Sequence, residues 1–331
     1  MPIAEQIASE LFQAGENIPF QDLALNVYRY QYQSVEVYRR YADAIGRTPD
    51  KVNTLEEIPF LPVSFFKTHE IIADGRSPEI IFTSSGTTGQ VVSRHCVAEV
   101  WLYEQSFLRG FERFYGNPSD YCFLALLPSY LERGGSSLVF MADHLIRRSG
   151  HPDSGFYLDQ YDALHRKLEM LKQSGQKTVL LGVTYALLDL AEQFPMNFPE
   201  LIIMETGGMK GRRKEMIREE LHEQLSRAFS AAAIHSEYGM TELLSQAYSK
   251  GKGIYTTPPW MKILIRDAND PFSWQKEGKT GGVSIVDLAN LYSCSFIATQ
   301  DLGRIYSDGT FEVLGRFDDA EMRGCNLMIG S

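Results

Sequence analysis

Residues 82–90 read FTSSGTTGQ and follow the apolar EII of residues 79–81. Glycine lets backbone N–H groups turn toward one point, and serine and threonine hydroxyls add rotatable donors, so such a loop behind a strand can wrap an anion. The same residue types are also ordinary turn punctuation. The GxxxxGK[ST] phosphate loop with its lysine is absent. A second pattern, LIIMETGG at 201–208, is a buried-strand run ending in Gly207 and Gly208. Paired glycines let a flat ring approach the backbone closely, and they equally turn a strand into a helix. Cys325 lies between Gly324 and Asn326, two residues after Arg323. A nearby guanidinium favours the thiolate and glycine leaves room for an acyl donor, as a nucleophile requires; a small buried hydrophobe is the other reading of a cysteine.

Such residues need a folded scaffold. The chain has 331 residues, 44% hydrophobic and 22% charged, which suits a folded protein of about two domains or lobes. Its net charge of −10 would repel a nucleic-acid duplex or an anionic membrane surface, so any anionic ligand must be held by local donors. The four cysteines stand far apart, with no CxxC pair and no zinc-like spacing, and a reduced, cytoplasmic setting is expected. MPIAEQIASE lacks the basic start and apolar run of a signal peptide, and the longest charge-free apolar stretch, TVLLGVTYALL, is too short to span a bilayer. Neither a targeting segment nor a membrane span is expected.

Ile3, Ile7 and Leu11 share a helical face, and Leu23, Val27, Val35, Tyr38, Tyr41 and Ile45 continue at helix-like spacing to Gly46. The prolines of TPDKVNTLEEIPFLPVSFF forbid a continuous helix there and leave a connector. From residue 79, short apolar runs (EIIF, YCFLALL, KTVLLGV, LIIMET, AAIHSEYG) alternate with amphipathic stretches such as VAEVWLYEQSFLRGFERF and YDALHRKLEMLKQ. Strands buried on both faces with helices between them imply a mostly parallel sheet. After residue 248, GIYTT, MKILIRD, GGVSIVD, CSFIAT, GRIYSDG and TFEVLGR read as strands joined by Gly/Asp turns. The expected architecture is α/β: mostly parallel sheets flanked by helices, with a small β-barrel-like subdomain near the C-terminus. Its expected regions are helices and connector (1–78), an α/β core (79–248) and a β-rich subdomain with a tail (249–331).

TSSGTTG (83–89), YGMTE (238–242), TQDLGR (299–304) and GRFDD (315–319) stand in family order for the adenylate-forming enzymes. That superfamily comprises acyl-CoA synthetases, peptide-synthetase adenylation domains and luciferases, and the chain resembles it from about residue 55 to the C-terminus. Within it, SSGTTGQVVSRH, TGGMKGRR, YGMTELLSQAYS and DDAEMRGCNLM are similar to the acyl-protein synthetases of bacterial luciferase fatty-acid reductase complexes. The resemblance implies the large N-terminal domain of the adenylate-forming fold, with ATP and Mg²⁺ as cofactors and a carboxylic, fatty acid as substrate. It implies formation of acyl-AMP followed by transfer to a thiol, with a partner protein or CoA as acceptor and no nucleic acid.

By the same resemblance, Thr83, Ser84, Ser85, Gly86, Thr87, Thr88 and Gly89 cradle the β- and γ-phosphates. Tyr238 would stack on adenine beside Gly207 and Gly208, Thr241 would bond the α-phosphate, and Glu242 would hold Mg²⁺, an ion that favours one or two carboxylates plus phosphate oxygens. Asp301 would take the ribose hydroxyls, Arg316 the ribose or acyl phosphate through its planar fork, and Cys325 would carry the acyl group. A strand-end turn for Glu242, and a surface turn or ordinary salt bridge for Asp301 and Arg316, are the plainer alternatives. LGVTYALL is similar to the family's GVPT segment, where Leu187 and Leu188 line an acyl pocket or simply fill the core.

The pattern departs from the family in three places. Val91 and Val92 stand where Pro-Lys usually follows the loop, Gln300 replaces a glycine, and the sequence stops shortly after RG, where the larger family continues into a mobile lid with a catalytic lysine. Another cation, such as Arg94, Lys210 or Arg212, would then stabilise the developing charge. An AMP-forming acyl-CoA ligase indifferent to Cys325, and a non-catalytic nucleotide- or acyl-adenylate-binding protein, are the alternative functions.

Overall fold

A computed structural model describes residues 3–14, 17–84, 91–127, 135–207 and 216–317. The chain forms two compact units, one of residues 1–77 with 259–331 and one of residues 78–258. In the first, helices α1 (Ile3–Glu10), α2 (Phe20–Ser34) and α3 (Glu36–Ala44) put Ile7, Leu23, Val27 and Tyr38 of the expected faces in the core, while Ile3 in the first turn is exposed. The connector carries a short strand, β1 (Leu61–Pro62), and a single helical turn, α4 (Phe65–Thr68).

The second unit holds β2 (Ile80–Thr83), β3 (Arg94–Val97), α5 (Val100–Tyr115), β4 (Cys122–Leu126), α6 (Ser137–Ser149), β5 (Gly155–Phe156) and α7 (Tyr161–Ser174). It continues through β6 (Thr178–Gly182), α8 (Thr184–Gln193), β7 (Ile202–Glu205), α9 (Arg218–Phe229), β8 (His235–Tyr238), β9 (Ala247–Ser249) and β10 (Ile254–Thr256). Its main sheet has the order β10-β9-β8-β7-β6-β4-β5. The five strands from β8 to β5 run parallel, and β9 and β10 add antiparallel pairs at one side. CFLAL in β4 and TVLLG in β6 are buried at every position, as strands covered on both faces must be. The helices obey the complementary rule: α7 buries Leu164, Leu168 and Leu171 on one stripe and ends at Gly175 in the left-handed conformation.

EIIF does not join this sheet. As β2 it pairs antiparallel with β3 alone, in a two-stranded ribbon. The short strands β1, β3, β5 and β9 lie outside the apolar runs.

The chain then returns to the first unit as β11 (Met261–Arg266), β12 (Gly281–Asp287), β13 (Phe296–Ile305) and β14 (Phe311–Arg316), an antiparallel meander. CSFIAT and the start of GRIYSDG, expected as separate strands, form one ten-residue strand, β13. Strand β1 lies parallel to the first half of β13, pairing Leu61 with Ile297 and Pro62 with Ala298. Gln31 of α2 is buried and fastens the helices to this sheet: its Nε2 donates to the carbonyls of Asn290 and Leu291, both at 2.9 Å, and its Oε1 accepts from the Ser295 N–H at 3.0 Å. Among the described residues, no helix is long and apolar enough to cross a membrane.

Candidate nucleotide site

The Ser/Thr/Gly run lies in sequence between β2 and β3, whose register places Phe82 opposite His95 and Thr83 opposite Arg94. The neck of the loop is closed twice: Ser84 N–H donates to the Ser93 carbonyl at 3.1 Å, and Ser93 N–H donates to Ser84 Oγ at 2.9 Å. Thr83 N–H donates to the Gly135 carbonyl at 2.8 Å. Gly135 has φ +94°, and a Cβ there would stand 3.0 Å from Thr83 Oγ1 and 3.4 Å from the Ile81 carbonyl oxygen. The positive φ therefore favours glycine at this contact, and a Cβ would press on Thr83. Thr83 and Ser84 lie at the root of the loop; Ser85, Gly86, Thr87, Thr88 and Gly89 lie outside the described residues.

The YGMTE segment begins as β8 ends. Tyr238, the last strand residue, faces Ala247 across the antiparallel pair and packs its ring edgewise against Tyr255 at 5.8 Å. Met240 to Leu243 then turn, closed by Leu243 N–H donating to the Met240 carbonyl at 3.0 Å. Glu242 is buried while Thr241 is half-buried. His95 Nδ1 lies 2.8 Å from the Thr241 carbonyl oxygen, so the ribbon that carries the loop and the turn that carries Thr241 and Glu242 meet directly. No cluster of three or more His, Cys, Asp or Glu fit for a metal occurs among the described residues. A single carboxylate at Glu242 fits Mg²⁺ held chiefly by phosphate oxygens.

The end of β7 lies alongside, with Glu205 in register with Ser236 of β8. Gly207 adopts φ +73° with nothing within 4 Å of where a Cβ would stand. Its N–H donates to Glu205 Oε2 at 2.8 Å and its carbonyl accepts from Thr184 N–H at 3.0 Å. Gly208 lies outside the described residues. Sequence reasoning missed the two glutamates around these strand ends. Burial opposes the charge of Glu205, but His222, the Ser236 hydroxyl, the Gly207 N–H and the Arg218 charge outweigh it and hold the carboxyl below its usual range. His222 Nε2 stands 3.8 Å from Glu205 Oε1, an ion-pair distance rather than a hydrogen bond. Glu237 experiences the reverse: burial first, then the charge of Glu205, push its carboxyl up to about 8.

In the first unit, Asp301 and Arg316 are brought together. They are cross-strand partners in β13 and β14, and Arg316 Nε donates to Asp301 Oδ1 at 2.9 Å. Asp301 is buried within a strand rather than exposed on a turn, whereas the Arg316 side chain is 58% exposed. Leu187 and Leu188 of α8 are fully buried in the core of the second unit. Arg94 is exposed at the loop's neck; Lys210, Arg212 and Cys325 lie outside the described residues. The other three cysteines are buried, and burial pushes the thiols of Cys122 up to about 11 and Cys294 to about 12. Such thiols are poor nucleophiles at neutral pH.

No protein-family model matches the chain, and no curated protein does. Solved structures do. ATP-bound MatB from Rhodopseudomonas palustris matches with TM-score 0.54 and 17% identity over 71% of this chain and 47% of its own. A 2-hydroxyisobutyryl-CoA ligase with 2-HIB-AMP and CoA in the thioesterification state matches with TM-score 0.63 and 16% identity over 96% of this chain and 70% of its own. The chain shares their fold. The same ligase in the postadenylation state with 2-HIB-AMP gives TM-score 0.63 at 14% identity over 90% of this chain. Against MatB the chain spans about half the length, 47%.

Proposed function

We propose that the protein is an adenylate-forming enzyme that activates a carboxylic acid with ATP and passes the acyl group to a thiol, as its resemblance to acyl-protein synthetases implies. The observation that carries this reading is the 2.8 Å contact joining the phosphate-loop ribbon to the Thr241–Glu242 turn. It draws together two of the four motifs on a fold shared with structures solved with ATP and with an acyl adenylate.

In the first step a carboxylate oxygen of the acid attacks the α-phosphorus. A new O–P bond forms, the P–O bond to the β-phosphate breaks, and pyrophosphate leaves with the electron pair. The loop at 83–89 binds the β- and γ-phosphates, Thr241 orients the α-phosphate, and Tyr238 and the Gly207 turn wall the adenine. Mg²⁺ held at Glu242 would neutralise phosphate charge. Arg94, opposite Thr83 in the ribbon, is one proposed cation for the leaving pyrophosphate, with Lys210 and Arg212 as the others. Asp301 and Arg316 would serve the ribose side. In the second step a thiolate attacks the acyl carbonyl, a C–S bond forms, the C–O bond to phosphate breaks and AMP leaves. Cys325 is the proposed thiol and a fatty acid the proposed acid.

CoA is the second acceptor, favoured by the ligase structure that contains it. The test is ATP–pyrophosphate exchange over a panel of carboxylic acids, with intact-protein mass measured on wild type and Cys325→Ser. Acid-dependent exchange in both, with a hydroxylamine-sensitive acyl mass on wild type alone, is the expected result. Exchange with turnover that needs CoA and ignores the substitution would establish the ligase instead. ATP binding without exchange for any acid would leave a nucleotide-binding protein. Glu242→Gln should lower the exchange rate by roughly 10²-fold or more.

A further inference from the structure

We propose that His95 is a positioning residue that latches the phosphate-loop ribbon to the Thr241–Glu242 turn through the N–H at its Nδ1. The proposal deepens the ATP-dependent reading above and rests on it for its catalytic consequence.

The hydrogen on Nδ1 follows from the partner. The Thr241 backbone oxygen is a carbonyl and can only accept, so at 2.8 Å the hydrogen belongs to Nδ1 of His95. His95 is fully buried, in a position where an unmade hydrogen bond to a backbone carbonyl is costly. It stands opposite Phe82 in the ribbon. The Phe82 ring is wedged against Tyr103 of α5 at 5.4 Å and Phe140 of α6 at 5.5 Å, so the strand pair that carries His95 has a fixed seat. Beyond Phe82 come Thr83, held by the Gly135 carbonyl, and Ser84, held by Ser93. The root of the loop is thus tied to its own return strand, to residue 135 and, through His95, to the residue proposed to contact the α-phosphate. These chain segments are 146 residues apart in sequence. Phosphoryl chemistry needs the β- and γ-phosphate donors and the α-phosphate donor in one register, and displacement of one set by an ångström is enough to slow it severely. The latch sets that register before nucleotide arrives.

The geometry distinguishes two substitutions of similar polarity. An asparagine amide nitrogen can reach the place of Nδ1, whereas a glutamine amide nitrogen reaches toward that of Nε2. In ATP–pyrophosphate exchange, His95→Leu and His95→Gln should lower kcat/KM for ATP about tenfold or more, and His95→Asn should stay within about threefold of wild type. Backbone hydrogen exchange in nucleotide-free protein gives a readout independent of turnover. The amides of Ser84 and Leu243 should exchange faster in His95→Leu and His95→Gln and near the wild-type rate in His95→Asn. The latch is overturned if His95→Asn behaves as His95→Leu does, or if His95→Leu leaves both readouts unchanged. Should wild type show no exchange with any acid while the hydrogen-exchange pattern holds, the ATP-dependent reading fails and the latch stands as a mechanical coupling.

Discussion

Two glutamates on neighbouring strands, Glu205 and Glu237, are buried beside the same candidate site and settle in opposite protonation states. Glu205 is surrounded by His222, Ser236, the Gly207 N–H and Arg218 and remains ionised. Glu237 has burial and the Glu205 charge against it and keeps its proton to about pH 8. The stability consequence has a definite sign. The folded carboxyl binds its proton more tightly than the unfolded one, so its contribution is complete below the unfolded carboxyl range and is lost as pH rises toward about 8. Urea denaturation across this window should find wild type losing stability relative to Glu237→Gln as pH rises, by a few kcal/mol in all. A pH-independent difference between them would mean that Glu237 is ionised throughout. The candidate site was legible where a residue type announces itself: the Ser/Thr/Gly run, the glycine needed at φ +73° in position 207, the acid in YGMTE. Glu237 and His95 were illegible because their significance depends on which strand lies alongside, and neither HSEYG nor SRHCV reveals its partner.

At the scale of the element, β4, β6 and β7 were readable because strands covered on both faces are predominantly apolar, β7 departing from this only at Glu205. The same rule misplaced β2, a strand of a two-stranded ribbon in which Phe82 is the one buried β2 residue. Two-residue β5 is too short to carry any periodicity. Strand β13 looked divided because its middle is polar and glycine-bearing. Its pairing shifts register between Leu302 and Gly303, and a Cβ at Gly303 would stand 2.5 Å from the Glu312 carbonyl oxygen, so the glycine marks a bulge within a strand. The contact between the ribbon and Gly135 gives a test at this scale. Gly135→Ala must strain a positive-φ backbone and press a methyl group on Thr83, and should cost about 1–3 kcal/mol by denaturation. ATP affinity should weaken alongside; unchanged stability and affinity would show that the ribbon does not depend on this contact.

Across the molecule, the buried thiols report on each unit separately, Cys96 and Cys122 in residues 78–258 and Cys294 in the unit formed by the rest. Under rising urea, pulsed thiol labelling read by peptide mass should find Cys96 and Cys122 exposed at one common midpoint, since both belong to a single packed core. Labelling of Cys122 well before Cys96 would reveal a subdivision of that unit. Cys294 is free to follow its own midpoint. The pairing of β1 with β13 bears on how the protein is made. A ribosome finishes every strand and helix of residues 78–258 before β11 to β14 exist, so the middle unit can fold during synthesis, while the helices already made wait with the connector for a partner. The first unit can close only after the whole of the other has been threaded between its halves, which makes it the late, long-range step of folding.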